Sequence, residues 1–356
     1  MASAPALPTD DAFERDGLRY PFGTLAPQPG ELLEIAPGVR WWRLPLSGPL
    51  KHINGYVLGQ DNALTLVDTG FNSEAALAHW QALFAGPLAG ARVAQVLCTH
   101  FHPDHVGIAG WLCRQHDARL TMTRTEWLQL RMLHADSRPE VPDEMKAFWR
   151  AAGWDEDQIG QASQRGWGNF ARIVTRLPLG YRRIAAGDVL RIGDTDWQVV
   201  VGSGHSPEHA CLLDAERGIL VAGDQVLPRI SSNISLGVSE PEGDPLGDWL
   251  ASIAELRTLP DDLLVLPGHG DPFTGLHARL DQLDAEHAGR LDAVEAWLAT
   301  PRRAVDCFAQ LFRRPIGPDV IGMATGESLA HLRHLEVTGR ARREIREGVW
   351  WFSCFA

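Results

Sequence analysis

The sequence predicts an α+β protein in which short buried strands are combined with amphipathic helices. Five apolar runs each end at a glycine-bearing turn that carries a His or an Asp, as in 64–70 and 263–270. Elsewhere apolar residues recur at the 3.6-residue period of a helix, as at Met145, Phe148 and Trp149. Functional groups of layered proteins collect at strand ends, where loops converge, so these turns predict one shared cleft.

The chain divides into three predicted parts. Residues 1–30 are rich in Pro and Gly and are interpreted as an N-terminal extension, residues 31–298 form a large domain, and residues 299–356 form a small C-terminal domain. In the first part of the large domain, the patterns predict strands over 32–35, 39–44, 55–58 and 64–67, helices over 74–83 and 106–115, and a strand over 117–122.

Residues 123–183 are predicted to form a helical insertion in the large domain. One helical pattern surrounds Phe148, and a second places one apolar face on Phe170, Ile173, Val174 and Leu177. The insertion is also rich in Trp, with Trp127, Trp149, Trp154 and Trp167. Two interpretations stay open: helices that simply pack on the large domain, or a lid that lines a substrate cleft with apolar side chains.

The last segment, residues 299–356, resembles a winged-helix domain. Its predicted elements are a helix marked by Val305, Phe308, Ala309 and Phe312, a helix over 328–337 that ends at Gly339, and a hairpin that pairs 342–346 with 349–352. A winged helix commonly binds DNA through its phosphates, which requires a clearly basic face. Arg residues only slightly outnumber acidic residues here, so we expect this domain to pack against the large domain or a second subunit.

The segment 100–105, with the sequence HFHPDH, follows directly on the apolar run 93–98. Its four potential metal ligands are His100, His102, Asp104 and His105. Such groups are costly to bury unless a cation or an opposite charge pairs with them. A single His is usually a surface or core residue, but the combined H-x-H-x-D-H pattern predicts a metal site.

Four other strand ends carry groups of the same kind. These are Asp68, His205 with the nearby His209, Asp224 and His269. Each alone has a plain explanation, since an Asp can cap a helix or stabilise a turn. Their shared position after an apolar run instead predicts that they form one cluster with the HFHPDH segment.

This order of residues resembles the metallo-β-lactamase superfamily. The family pattern is an Asp after an early strand, then H-x-H-x-D-H, a single His, an Asp and a last His, and every position is present between about residues 35 and 285. The resemblance implies a four-layer αββα sandwich with a binuclear metal site at one edge. In this superfamily, insertions at the position of 123–183 commonly shape substrate choice, which favours the lid.

The resemblance also implies a role for each residue. The implied ligands are His100, His102 and His205 for one metal, Asp104, His105 and His269 for the other, and Asp224 as the bridge between them. Asp68 would orient a ligand His through its other ring nitrogen, and His209 is a candidate for a similar supporting role. Asp104 would also handle a proton if one of its carboxylate oxygens stays free.

The donor set indicates the cofactors and the reaction. Seven N and O donors without a thiolate suit two divalent ions, with zinc as first choice and iron or manganese as alternatives. The ions would hold a bridging hydroxide that attacks an acyl carbon, while one of them stabilises the oxyanion. The GHSPEH sequence at 204–209 has the form found in hydrolases that resemble glyoxalase II. We therefore predict a metal-dependent hydrolase of a small acyl substrate, a thioester or ester such as an acyl-CoA or acylglutathione.

Three alternatives stay open. A lactonase is close in chemistry, because the same attack opens a ring ester. An endoribonuclease or phosphodiesterase would use the winged-helix-like domain to hold nucleic acid, as in lactamase-like endoribonucleases with a similar C-terminal domain. The non-enzymatic alternative is a metal-binding regulator that contacts DNA, but a purely structural site has no need for two adjacent metals with open positions.

The composition limits the function classes. The chain has 356 residues and is 45% hydrophobic and 22% charged, as is ordinary for a globular protein. Its net charge of −12 argues against a general nucleic-acid-binding surface. The five Cys lack framework spacing and the N-terminus lacks signal-peptide features, so we expect a cytoplasmic protein. No apolar run approaches the ~20 residues of a membrane span, and a homodimer stays open.

Overall fold

The computed structural model describes residues 11–48, 50–60, 62–168 and 170–355. The strands in these ranges are, in chain order, β1 (Phe13–Arg15), β2 (Leu18–Tyr20), β3 (Leu33–Ala36), β4 (Val39–Pro45), β5 (His52–Leu58), β6 (Leu64–Val67), β7 (Val93–Leu97), β8 (Arg119–Thr123), β9 (Arg182–Ile184), β10 (Val189–Ile192), β11 (Thr195–Gly202), β12 (His209–Asp214), β13 (Ile219–Gly223), β14 (Leu264–Pro267), β15 (Ala341–Arg346) and β16 (Val349–Cys354).

The α-helices of the same ranges are α1 (Glu74–Ala85), α2 (Pro103–Val106), α3 (Ala109–His116), α4 (Arg124–Ala135), α5 (Asp143–Ala152), α6 (Glu156–Ser163), α7 (Phe170–Ile173), α8 (Pro245–Leu256), α9 (Leu276–Trp297), α10 (Phe308–Leu311) and α11 (Ile321–Val337). A short 3-10 helix, Ala304–Cys307, precedes α10. In the described part of the chain, no helix has both the length and the apolar character needed to cross a membrane.

Two β-sheets form the centre of the molecule. The first is ordered β3-β4-β5-β6-β7-β8-β9 and the second β10-β11-β12-β13-β14. Pairing is parallel from β6 to β9 and between β13 and β14, and antiparallel between the other neighbours in these sheets. The facing sides share one apolar layer, which includes Val39, Trp41, Tyr56, Trp197, Val199, Leu212 and Val221.

Helices cover the outer face of each sheet. α1, α3 and α4 pack on the first sheet through Trp80, Leu112 and Leu130. α8 and α9 cover the second sheet, where Trp249 and Leu283 are among the buried side chains, and α11 packs on α8 and α9. Each sheet therefore buries both of its faces, which is the condition for a stable layered domain. The predicted α+β fold with helix, sheet, sheet and helix layers is confirmed.

Two hairpins lie outside the large sheets. The β1–β2 hairpin belongs to the predicted N-terminal extension, and its Arg19 exchanges backbone hydrogen bonds of 3.2 and 2.9 Å with Thr274. Residues 1–10 of that extension lie outside the described residues. The β15–β16 hairpin follows α10 and α11, in the order expected for the C-terminal segment. The winged-helix assignment and the boundary at 298 stay predictions.

One prediction in the insertion is wrong in extent. The helical pattern from Phe170 to Leu177 yields only the four residues of α7. The Thr175 amide donates to the Gly107 carbonyl at 2.7 Å, and the Thr175 hydroxyl accepts from the Trp111 amide at 3.2 Å. These bonds hold the chain after α7 against α3, so tertiary contacts override the local pattern. The helix predicted over 106–115 begins later than expected, because α3 spans Ala109–His116 while Val106 ends the short helix α2.

Candidate metal centre

The predicted ligands lie together at one edge of the two sheets. Asp68 follows β6, the HFHPDH segment follows β7, and the remaining ligands follow β11, β13 and β14. Asp68 has a left-handed backbone conformation, with φ of 59°, which Asp tolerates better than most residues. Its amide donates to the Leu97 carbonyl at 2.9 Å, so the turn after β6 is tied to the end of β7.

Three imidazoles form the first group of candidate ligands. His100 Nε2 lies 2.9 Å from His102 Nδ1 and 3.3 Å from His205 Nε2, and the last two atoms are 3.0 Å apart. A tetrahedral zinc ion with Zn–N bonds of 2.0–2.1 Å separates its nitrogen ligands by roughly 3.3 Å. The three nitrogens therefore stand close to the positions that one such ion requires.

The second group contains a carboxylate and two imidazoles. The donor atoms of Asp104, His105 and His269 all lie within 4.8 Å of one another and all three residues are buried. Asp104 Oδ2 is 3.3 Å from His269 Nε2 and 3.8 Å from His105 Nε2. This group offers a second ion one oxygen and two nitrogen donors.

Asp224 lies between the two groups. Its Oδ1 is 3.3 Å from His105 Nε2, and its Oδ2 is 3.3 Å from His269 Nε2 and 3.6 Å from His205 Nε2. One buried carboxylate thus faces candidate ligands of both groups. This is the placement expected of a bridging ligand between two ions.

Outer partners set the orientation of the imidazole rings. The Nδ1–H of His105 donates to Asp68 Oδ2 at 2.7 Å, that of His205 to the Asn233 carbonyl at 2.8 Å, and that of His269 to the His52 carbonyl at 2.6 Å. Each bond selects the tautomer whose Nε2 lone pair faces the centre, as is usual around metal-binding His. Asp68 thus contacts the ring of a candidate ligand, and its supporting role stays a prediction.

The electrostatics of the centre favour a cation. Burial and the neighbouring imidazoles hold the pKa of His100 well below its usual range, and burial and His205 lower the pKa of His102 to about 3. Burial also acts to lower the pKa of His269, but the carboxylates of Asp224 and Asp104 override it and raise that pKa to about 10. The rings of His100 and His102 are therefore neutral and can offer a lone pair to a cation. The carboxylates of Asp224 and Asp104 attract positive charge to the part of the centre where His269 lies.

The donor atoms fit divalent metal ions. His105 Nε2, His269 Nε2 and Asp224 Oδ1 are buried and, among the described residues, accept or donate no hydrogen bond. Buried polar atoms without partners are rare and indicate a site for an ion or a water molecule. The set of imidazoles and carboxylates without a thiolate suits zinc, iron or manganese. We conclude that the residues present fit two such ions.

His209 contacts the segment that carries Asp224. It begins β12, is fully buried, and its Nε2 accepts a hydrogen bond of 3.1 Å from the Asp224 amide. Burial, with the field of His205 added, holds its pKa well below the usual value, so the ring is neutral. A Cβ on Gly223 would lie 2.7 Å from this ring, so the close approach requires glycine. His209 is therefore bonded to the backbone of Asp224, and its supporting role stays a prediction.

Glu126, near the start of α4, is a residue that the sequence reasoning missed. It is fully buried, and its Oε2 accepts from the Phe101 amide at 2.9 Å. Its Oε1 accepts from the Ser206 hydroxyl at 2.6 Å and from the Glu208 amide at 2.8 Å. Burial raises its pKa to about 7, against the opposing effect of these hydrogen bonds. One carboxylate from the insertion therefore joins the two loops that carry the first group of imidazoles.

Replacing Glu126 with Gln should weaken metal retention at the first group by about tenfold, in line with other outer partners of metal ligands. In either orientation, the Gln NH₂ group faces a backbone N–H, of Phe101 or of Glu208, and leaves it unsatisfied. Chelator competition measures the effect, and Glu144→Gln, at an exposed position of α5, is the matched control. Equal metal retention in both variants would contradict this role.

Thr99 was also missed, although it adjoins the HFHPDH segment. Its hydroxyl donates to Asp68 and lies 2.9 Å from His100 Nδ1. Its position next to the HFHPDH segment was the signal by which the sequence could have indicated it. Glu126 had no such signal, because its partners lie 25 to 82 positions away in the chain.

The comparisons with known proteins agree with this geometry. The sequence model of the metallo-β-lactamase superfamily matches residues 48–269. This chain belongs to the metallo-β-lactamase superfamily. A second family model, the metallo-β-lactamase-like C-terminal domain, matches residues 291–355. The superfamily predicted from the residue pattern is therefore confirmed.

Two relatives of this superfamily cover most of the chain. The crystal structure of a β-lactamase domain protein from Burkholderia ambifaria has a TM-score of 0.84 and 37% identity, over 96% of this chain and 100% of that one. A probable metallo-hydrolase, YqjP of Bacillus subtilis, is 27% identical over 295 residues, which are 78% of this chain and 86% of that protein. The chain is a metallo-hydrolase of this superfamily.

Two further relatives are named for their substrates. An atrochrysone carboxyl ACP thioesterase from Aspergillus fumigatus is 24% identical over 255 residues, or 70% of this chain and 45% of that protein. A hydroxyacylglutathione hydrolase from Polaromonas is 26% identical over 195 residues, or 54% of each chain. The match thus spans about half the length of each of these two enzymes.

Proposed function

We propose that this metallo-hydrolase cleaves acyl thioesters or the related esters with two divalent ions. The observation that carries the proposal is the pair of adjacent ligand groups that share Asp224. Two relatives named as a thioesterase and a hydroxyacylglutathione hydrolase support the choice of an acyl substrate. Zinc remains the first choice of metal, because the set is dominated by imidazole nitrogens.

The candidate ligands and their supporting partners have separate roles in this proposal. In this proposal His100, His102 and His205 hold one ion, Asp104, His105 and His269 hold the other, and Asp224 bridges them. When bound, such ions supply a nucleophile from water at neutral pH and stabilise negative charge on an oxyanion. Asp68 and His209 keep a ligand ring and the bridging carboxylate in place.

Asp104 is the proposed proton acceptor. Burial would raise the pKa of its carboxyl, but His105 and His269 hold it below the usual value, so the group is a carboxylate at neutral pH. Its Oδ2 faces His269 and His105. Its other oxygen would accept the proton of the attacking water.

A thiol nucleophile is not required and the nearby cysteines are unsuited to it. Burial raises the pKa of Cys211 to about 12 and that of Cys98 well above its usual value, so both are neutral thiols. The thiolate, and not the thiol, is the reactive form. Hydrolysis therefore depends on the ligand cluster.

Nucleic acid is a weaker substrate class for this chain. Several Arg residues of the C-terminal segment pair within the protein, as Arg340 does with Glu295 and Asp292, and Arg343 with Glu242. Paired guanidinium groups contribute less to phosphate binding than free ones. The internal pairing agrees with a domain that packs on the rest of the chain, since α11 contacts α8 and α9.

Metal analysis combined with a substrate panel tests the proposal. We expect about two ions per chain and hydrolysis within a panel of acyl-CoAs, acylglutathiones, homoserine lactones and single-stranded RNA. Thiol release would be followed for thioesters, and ring opening for lactones. RNA cleavage without any acyl hydrolysis would overturn the substrate assignment. A single ion in the fully active protein would overturn the dinuclear arrangement.

A further inference from the structure

A cavity of about 500 Å³ opens between the insertion and the C-terminal segment. α5 and the chain after it form one wall, α11 forms the opposite wall, and residues 235–238 form the floor. Trp149 and Trp154 lie in the first wall as a stacked pair, with ring centroids 4.9 Å apart and planes 3° apart. The volume falls in the range of small-molecule sites, about 300–1,000 Å³.

The lining of this cavity is apolar. Met145, Phe148, Leu236 and Ile321 contribute hydrocarbon or thioether surface. Its charged residues, Arg165 and Asp319, pair with each other at 2.9 Å and are 55% and 93% exposed, which places them at the rim. Such a site favours a hydrocarbon chain over a phosphate or a sugar, since polar groups would lose hydration there without gaining partners.

Two segments connect the cavity to the metal centre. On the floor, the Ser235 hydroxyl donates to Asn233 Oδ1 at 2.6 Å, and the Asn233 carbonyl accepts from His205. On the side of the insertion, Trp167 lines the cavity, while Phe170 lies with its ring 6.3 Å from that of Phe101. The Phe101 ring is in turn 4.6 Å from that of His102, so both connections end at the first ligand group.

We propose that this cavity binds the apolar acyl chain of the substrate. The inference rests on the proposed function, because it assigns a binding site to the hydrocarbon part of the acyl group whose carbonyl the metal centre would attack. The reactive carbonyl would lie at the ligand cluster, and the hydrocarbon tail would extend past Asn233 toward the Trp149–Trp154 pair. The substrate class is then an acyl thioester or ester with an apolar tail.

The Trp154 indole also explains how the cavity keeps its shape. Its Nε1–H donates to the Thr325 hydroxyl of α11 at 2.8 Å. On the other wall, the Gly326 carbonyl accepts from the Leu236 amide at 3.0 Å, so α11 holds the floor as well. The two walls and the floor are thus linked by hydrogen bonds.

Gly322→Leu tests the proposal by filling the cavity. Gly322 lines the cavity on α11, and a Cβ there meets nothing within 4 Å, so the larger side chain has room to fold. Gly160→Leu is the matched control, because Gly160 is also helical, also has open space and lies outside the cavity. Both variants replace a helical Gly with Leu, a change that favours the helix in each case.

The readout is the dependence of kcat/KM on chain length over acetyl- to dodecanoyl-CoA. For the wild type and Gly160→Leu we expect about a fourfold rise per methylene until the cavity is full. For Gly322→Leu we expect acetyl-CoA to change by less than about twofold and the longest chains to lose at least about tenfold. An unchanged ratio of long to short substrates in Gly322→Leu would overturn the proposal while leaving the hydrolase assignment intact.

Binding of decanoate, measured by calorimetry on the metal-loaded protein, separates the cavity from the reaction. We expect Gly322→Leu to weaken decanoate binding by at least about tenfold relative to Gly160→Leu. This result would support the cavity even if no thioester or ester were hydrolysed, in which case the proposed function alone would fail. Equal decanoate binding in both variants, or a change of oligomeric state in Gly322→Leu without decanoate binding, would overturn the acyl-chain assignment.

Discussion

Replacing Asp224 with Ala should lower kcat/KM by about 10²–10⁴-fold and reduce the metal content to one ion or none. The carboxylate faces His105, His205 and His269 from a buried position, so its loss leaves both ligand groups without their shared negative charge. Removal of one partner from a buried charged cluster costs about 3–5 kcal/mol, and each 1.36 kcal/mol is a factor of ten in rate. Elemental analysis and steady-state kinetics measure the two effects.

An exposed aspartate provides the control for this variant. Asp262 lies at the surface before β14, and Asp262→Ala should keep the wild-type metal content and rate. Asp224→Asn adds a second comparison, because it keeps the shape of the side chain and removes its charge. Full activity with two ions in Asp224→Ala would rule out the bridging role.

Gly268→Ala should lower metal content and kcat/KM by about 10–100-fold, the range found when the support of a metal ligand is disturbed. A Cβ at Gly268 would collide with Asp224 Oδ1 and lie 2.8 Å from Cε1 of His105. Both groups are buried, so neither can retreat into solvent. The carboxylate must then rotate away from the ring, because overpacking in a dense interior is resolved by displacement.

Gly289→Ala separates this effect from the general effect of adding a methyl group. Gly289 lies on α9 with nothing within 4 Å of its Cβ position, so the change should stabilise the fold by about 0.5–1 kcal/mol and leave the rate unchanged. Urea unfolding and kinetics are measured for both variants. A fully active Gly268→Ala protein with two ions would show that the bridging carboxylate tolerates displacement.

The metal centre could be predicted from the sequence because its ligands are encoded locally. Each ligand lies in a segment that follows a strand, and these strands end at one edge of the two sheets. Four of the ligands also share one hexapeptide, so their proximity needs no knowledge of the fold. The same locality made the layered architecture predictable, since strand ends and helix periods are both short-range patterns.

Two supporting partners, Glu126 and the Asn233 carbonyl, could not be predicted in this way. Glu126 meets the amides of Phe101 and Glu208 only after the insertion has folded back over the sheet. The Asn233 carbonyl that orients His205 carries no residue-type signal, because every residue has a carbonyl. The end of α7 was missed for a related reason: Thr175 bonds to α3, which competes with the local helical pattern.

The hydrogen bond between Trp154 and Thr325 has a consequence for the evolution of such chains. It joins the insertion to the C-terminal segment. Phe148 of the insertion also packs edge-on against Trp350 of β16, with the ring centroids 5.7 Å apart. A gene that lost only one of these segments would leave large aromatic side chains of the other facing water, which promotes aggregation. The two segments should therefore be inherited as a pair, and recombination should exchange them together.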